Sequence, residues 1–147
     1  MTRAAKIVYL AAIIVGISVG CTVGYGRGVA AFQALNDFEW LAAVSTLGNF
    51  SYLQYRHADA EHGRRALLMY TDLLQQVEKL KPDKMHKIDL SLAYTRLALL
   101  EDSAHNAQQS QGYMAKARYW YKTASGKDYS DDQLKSTVDA LDQRLQQ

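Results

Sequence analysis

Hydrophobic and polar positions alternate along this chain in two different regimes. From Ile7 to Gly26 twenty consecutive residues, IVYLAAIIVGISVGCTVGYG, carry no charge, and from about residue 30 apolar residues recur every three or four positions with polar ones between them. A helix rises about 1.5 Å per residue, so the first stretch is long enough to cross the roughly 30 Å hydrocarbon core of a bilayer. The second regime predicts amphipathic helices. Phe32, Leu35, Phe38, Leu41, Ala42 and Ser45 keep helical spacing, while Trp40, Val44 and Leu47 widen the apolar face, so this helix is expected to be covered on more than one side. Its end has two readings. Leu47-Gly48-Asn49 followed by Ser51 fits a stop and a new cap, whereas Tyr52, Leu53 and Tyr55 fit a continuation to about Arg56.

Four further breaks and periods complete the pattern. Ala66, Leu67, Tyr70, Leu73, Leu74, Val77 and Leu80 line one face of a helix over about residues 59–81, which Lys81-Pro82-Asp83 stops. Leu90, Ala93, Tyr94, Leu97, Ala98 and Leu100 predict a helix over about 87–102. Tyr113, Met114, Ala117, Trp120 and Tyr121 predict another over about 107–124, closed by Ser125-Gly126-Lys127. Ser130 with Gln133 three residues later fits a capping box opening a last helix through Leu134, Val138, Leu141 and Leu145. With one proline, nine glycines and no alternating apolar pattern, an all-β fold is excluded. The expected fold is all-α: a transmembrane helix within residues 1–28, then a small domain of antiparallel helical hairpins over 29–147.

The stretch from Tyr94 to Ala117, YTRLALLEDSAHNAQQSQGYMAKA, resembles one tetratricopeptide-type repeat, with Tyr94, Leu97 and Ala98 on its first helix and Ser110, Met114 and Ala117 on its second. It departs from that pattern at Glu101, where an aromatic residue is usual, and at Lys122, where proline is usual. The preceding hairpin, over residues 38–81, is similar only in the spacing of Ala66, Tyr70 and Leu73. The resemblance implies a stack of helical hairpins offering a surface to a protein or peptide, and no chemistry.

Charge places the segments. Lysine and arginine number 17 against 15 acidic residues, but Arg3, Lys6 and Arg27 precede position 30, which leaves 14 basic against 15 acidic residues in the body. The basic footprint that phosphate binding needs is missing from the body, so nucleic acid is not an expected partner. Arg3 and Lys6 before the apolar run, against Arg27 just after it, orient the N-terminus to the cytoplasm. Tyr9 and Tyr25 suit the two interfaces. A single pass through the cell inner membrane then puts the body on the extracytoplasmic side, the periplasm in a Gram-negative cell.

Two other readings of the N-terminus stand beside this one, a cleaved secretory signal and a lipoprotein signal ending at Gly20-Cys21. Ser18 occupies the lipobox position where a branched apolar residue is usual, and no polar tether follows Cys21. Gly16, Gly20, Gly24 and Gly28 recur every fourth residue, a stripe that would let a second membrane helix, from a partner or another copy, approach closely.

Candidate chemistry is sparse. A single cysteine excludes an internal disulfide framework and cysteine-rich zinc sites. His57 and Glu61 would share a face if one helix ran through both, a spacing that can hold a metal, but no third ligand follows from the sequence. His86 and His105 fall in expected turns. Lys79, Lys81, Lys84, His86 and Lys87 concentrate positive charge around Pro82, fitting a solvated loop or one facing anionic headgroups or an acidic partner. Tyr113, Tyr119, Trp120, Tyr121 and Tyr129 form the densest aromatic patch. One helix face cannot bury Tyr119, Trp120 and Tyr121 together, so Arg118, Tyr119 and Trp120 are the candidate partner surface. No glycine-flanked serine and no strand-borne phosphate loop is present. The expectation is a non-enzymatic, membrane-anchored scaffold or accessory subunit of a cell-envelope complex, without cofactor. The alternatives are a lipoprotein anchored through Cys21 with the same body, and a helical metal-binding or enzymatic module using His57 and Glu61.

Overall fold

The computed structural model describes residues 39–145, and among them every regular element is an α-helix. The expected membrane span and the glycines at 16, 20, 24 and 28 lie outside the described residues, as does Cys21. Among the described residues no helix is long and apolar enough to cross a membrane. Helix α1 covers described residues 39–57, followed by α2 (Ala60–Leu80), α3 (Lys84–Ser103), α4 (Ala107–Ser125) and α5 (Asp131–Arg144). From Ala42 onward the chain packs as one unit.

Each boundary has a local cause. Asp59 ends the helical run of α1 and caps α2, its carboxylate accepting from the backbone N–H groups of Glu61 and His62 at 3.0 Å each. Asp83 does the same for α3 by accepting from the Met85 N–H at 2.6 Å, so α3 begins at Lys84, three residues before the start expected near residue 87. His86 is therefore in the first turn of a helix and not in a turn between helices. His105 does sit in a turn, with a left-handed φ of 58°, and Gly126 closes α4 with φ 71°. The capping box expected at Ser130 and Gln133 is formed in both directions.

Of the two readings of residues 47–56, the continuous helix is the one found. Gly48 does not stop α1 because it serves a packing role: a Cβ there would lie 3.0 Å from the Tyr70 hydroxyl of α2. Gly63 of α2 returns the contact, since its Cβ would meet the Tyr55 backbone at 3.2 Å. These two close approaches set α1 antiparallel to α2. They also leave the other side of α1 bare, with Phe50 and Leu53 exposed, so within the described residues the helix is covered on one side only.

Helix α3 is the centre of the unit and packs against α2, α4 and α5. Its buried residues, among them Leu90, Ala93, Tyr94, Leu97 and Ala98, point around the whole helix, as a helix surrounded by others requires. Small residues bring α4 close: Ser91 donates its hydroxyl to the Ala117 carbonyl at 2.9 Å, and both residues are fully buried. The six residues that carry the tetratricopeptide resemblance, Tyr94, Leu97, Ala98, Ser110, Met114 and Ala117, are all buried. Leu67 and Leu74 of α2, Met114 of α4, and Leu134 and Val138 of α5 complete the core. Leu80, expected on the inner face, is exposed because it is the last residue of α2 and extends past the core.

Helix α5 is tied to α3 by Lys135 to Asp102 and Arg96 to Asp142. These ties run in opposite order along the two helices. In a continuing repeat stack the fifth helix would run with the third, so α5 closes the unit instead of extending the stack.

Candidate functional site

Of the three residues named as the candidate surface on α4, Arg118 and Tyr119 are exposed and Trp120 is half-buried. Tyr119 is 61% exposed, and its ring meets Trp120 edge-on at 5.1 Å between centroids. Arg118 beside it is held by Asp131 at 3.0 Å, so its position is set by the first turn of α5. The rest of the aromatic patch has other work. Tyr121 packs on Tyr129 at 4.2 Å, and Tyr113 is buried against Tyr94 at 6.1 Å under the Lys116 ammonium. Only Tyr119 and its half-buried neighbour Trp120 remain available.

A second grouping, which sequence reasoning missed, lies where α1, α3 and α5 meet. Arg96 of α3 donates to the Asp142 carboxylate and lies over the rings of Tyr52 and Tyr55 of α1, at 5.1 and 5.8 Å. Burial raises the pKa of the Tyr55 phenol, Asp142 adds to the rise, and Arg96 opposes it. Nearby, Tyr70 of α2 donates to Asp89 at 3.4 Å. Desolvation pushes the Tyr70 phenol far up, with the Asp89 charge reinforcing it, and desolvation also raises the Asp89 carboxyl. These groups join four helices, and Arg96 already has its carboxylate, so the cluster acts as a structural tie.

Two further internal pairs follow the same logic. Glu78 near the end of α2 is buried, accepts from the Asp83 N–H at 2.8 Å and pairs with Lys87 at 3.1 Å, with His86 at 3.8 Å. Glu101 is buried with Arg64 of α2 and the Asn106 amide as its partners. A signal was available for each carboxylate, because Glu78, Glu101 and Asp142 interrupt apolar helical faces where a leucine or aromatic is the ordinary choice.

The His57 and Glu61 pairing does not survive folding as one helical face. Asp59 breaks the helix between them, His57 is exposed at the end of α1, and Glu61 pairs with Arg65 at 3.1 Å. His62 turns instead to Asp59 at 2.7 Å. Among the described residues no three histidine, cysteine, aspartate or glutamate side chains gather as a metal ion requires. An open hollow of about 370 Å³ is lined by Tyr129, Asp132, Gln133, Ser136 and Thr137. Compared with known protein families, curated proteins and solved structures, the chain matches none.

Proposed function

We propose that this chain is a single-pass membrane protein of the cell envelope, anchored by residues 7–26 with its N-terminus in the cytoplasm. Its helical-hairpin body outside the cytoplasm binds protein, as a scaffold or accessory subunit, and does not catalyse. The observation that carries the reading is Tyr119, 61% exposed and braced by Trp120 on a helix whose other aromatic residues are engaged. Large, rigid, partly apolar side chains of this kind anchor protein interfaces at low entropic cost. Support for the anchor comes from the twenty uncharged residues and the flanking Arg3 and Lys6. In the membrane, the face of Gly16, Gly20, Gly24 and Gly28 packs against another helix. The buried TPR-like positions of α3 and α4 agree with a hairpin body built to present surface.

A photo-crosslinking residue placed at Tyr119 of the full chain in intact membranes tests the body. One adduct of defined mass at that position, and none from the exposed Gln108, is expected. Equal labelling from both positions, or none at Tyr119, would sink the interface. Intact mass tests the anchor: a mature chain starting at Cys21 with added acyl mass would replace the span by a lipid.

A further inference from the structure

We infer that the turn between α2 and α3 is a lipid-contacting tip that rests on an anionic membrane surface, an inference that builds on the membrane-anchored reading above. Leu80 and Met85 flank this turn at 72% and 58% exposure, whereas Val77 and Leu74 one and two turns before Leu80 are buried. The exposure is built into the turn and is not the fraying of a helix end. Lys81 closes α2 through its N–H to the Val77 carbonyl at 2.7 Å, the Asp83 N–H is held by Glu78, and the Asp83 carboxylate caps α3. A turn hydrogen-bonded on both sides thus holds two apolar side chains out into solvent.

Exposed lysines outnumber the one exposed carboxylate of the turn, Asp83. Glu78 faces inward and is neutralised by Lys87, and Asp83 is turned to the Met85 N–H. Lys79 and Lys84 stand exposed beside Leu80 and Met85. Apolar side chains ringed by lysines match a bilayer surface, where the former enter the headgroup and acyl boundary and the latter meet anionic phosphates. An acidic protein partner would need an apolar patch of its own beside its carboxylates, whereas an anionic bilayer surface offers both chemistries at once.

Gly48 beside Tyr70 and Gly63 beside Tyr55 set α1 antiparallel to α2. The start of α1 within this unit therefore points toward the end of α2 that carries the turn.

The test uses the full chain with Cys21→Ser and a polarity-sensitive fluorophore on Met85→Cys, reconstituted in phosphatidylcholine vesicles with or without 30 mol% phosphatidylglycerol. A blue-shifted probe, quenched by lipids brominated near the headgroup, is expected only with phosphatidylglycerol. Lys79→Glu with Lys84→Glu should abolish the shift, with roughly fivefold weaker contact for each lysine lost. The same probe on Gln108→Cys, at the opposite end of the α3–α4 hairpin, should stay in water. A Met85 probe that stays in water on anionic vesicles overturns the tip, even if it becomes buried on addition of an acidic protein. A shift equal in neutral lipid overturns the charge recognition. Alkaline flotation on neutral vesicles reads the anchor separately. A chain that fails to float there but binds anionic vesicles through the same probe response retains the tip and loses only the span.

Discussion

Glu101 of α3 and Arg64 of α2 form an ion pair across the helix interface in which the carboxylate is 1% exposed and the arginine side chain 31%. The carboxylate has a second donor, the Asn106 amide at 3.0 Å, and the Asn106 N–H bonds to the Glu101 carbonyl at 2.8 Å. One residue thus fastens α2 to α3 and shapes the turn into α4. It stands where a repeat of the tetratricopeptide type carries an aromatic ring, and a hydrogen-bonded charge fills the volume instead.

Removing the arginine leaves that carboxylate buried and uncompensated, so Arg64→Ala should cost about 3 kcal/mol. Replacing both partners, Arg64→Met with Glu101→Leu, should recover most of the loss, because the desolvation penalty disappears with the charges. Thermal unfolding followed by circular dichroism in mild detergent reads the difference. A double variant as unstable as Arg64→Ala would contradict the electrostatic account.

The close crossing of α3 and α4 depends on small residues. Ala117 is fully buried with its carbonyl bonded to the Ser91 hydroxyl, so Ala117→Leu should destabilise by about 1–3 kcal/mol through overpacking. Ala115→Leu, exposed on the same helix, is the control and should change little. Similar melting temperatures for the two variants would mean that the helices can separate without cost.

Two aspartates give opposite pH dependence. Asp102 is held below its ordinary pKa by the Lys135 hydrogen bond first and Ser110 second, so its contribution is present above the unfolded pKa of about 4 and lost as pH falls through the lower folded value. Asp102→Asn should therefore lower stability at pH 7, by no more than about 0.5 kcal/mol for an exposed pair, and the effect should shrink as pH falls below about 4. Asp89 is raised by burial, so its contribution is present below the unfolded pKa and lost as pH rises through the folded value. Asp89→Asn should raise the melting temperature at pH 7 and leave it unchanged near pH 3. Melting curves at the two pH values decide both signs.

In the membrane-anchored reading, Gly20→Leu places a branched side chain midway along the glycine register and holds a neighbouring helix away. Val19→Leu keeps the hydrophobicity and leaves the stripe intact. Recovery of the partner, or of the homo-oligomer, should fall for Gly20→Leu alone. Equal recovery for both would reduce the helix to a tether.

The elements legible from the sequence are those whose causes are local. Pro82, Gly126 and the Ser130-Gln133 box mark their turns and caps within a few residues, and the apolar periods of α2, α4 and α5 emerge at their expected positions. Local signals misled where one residue had two uses. Gly48 reads as a helix stop but is the seat of the Tyr70 ring, and Asp59 reads as part of a polar cluster but breaks the helix that His57 and Glu61 would have shared. On α4 the exposure of Tyr119 was legible from helical geometry, whereas the packing of Tyr121 on Tyr129 and the hold of Asp131 on Arg118 came only from the fold.

By itself the sequence determined the helical class, the Gly126 and Ser130 caps and most of the inner faces, because hydrogen bonds and hydrophobic periods act over three or four residues. The tertiary structure alone decided which charges pair in the interior. Glu101 meets Arg64 across 37 positions and Asp142 meets Arg96 across 46, and no local period encodes such a pairing. A buried carboxylate is tolerable only when its counter-ion arrives from another helix, so whether it stabilises the fold or disrupts it is settled by packing.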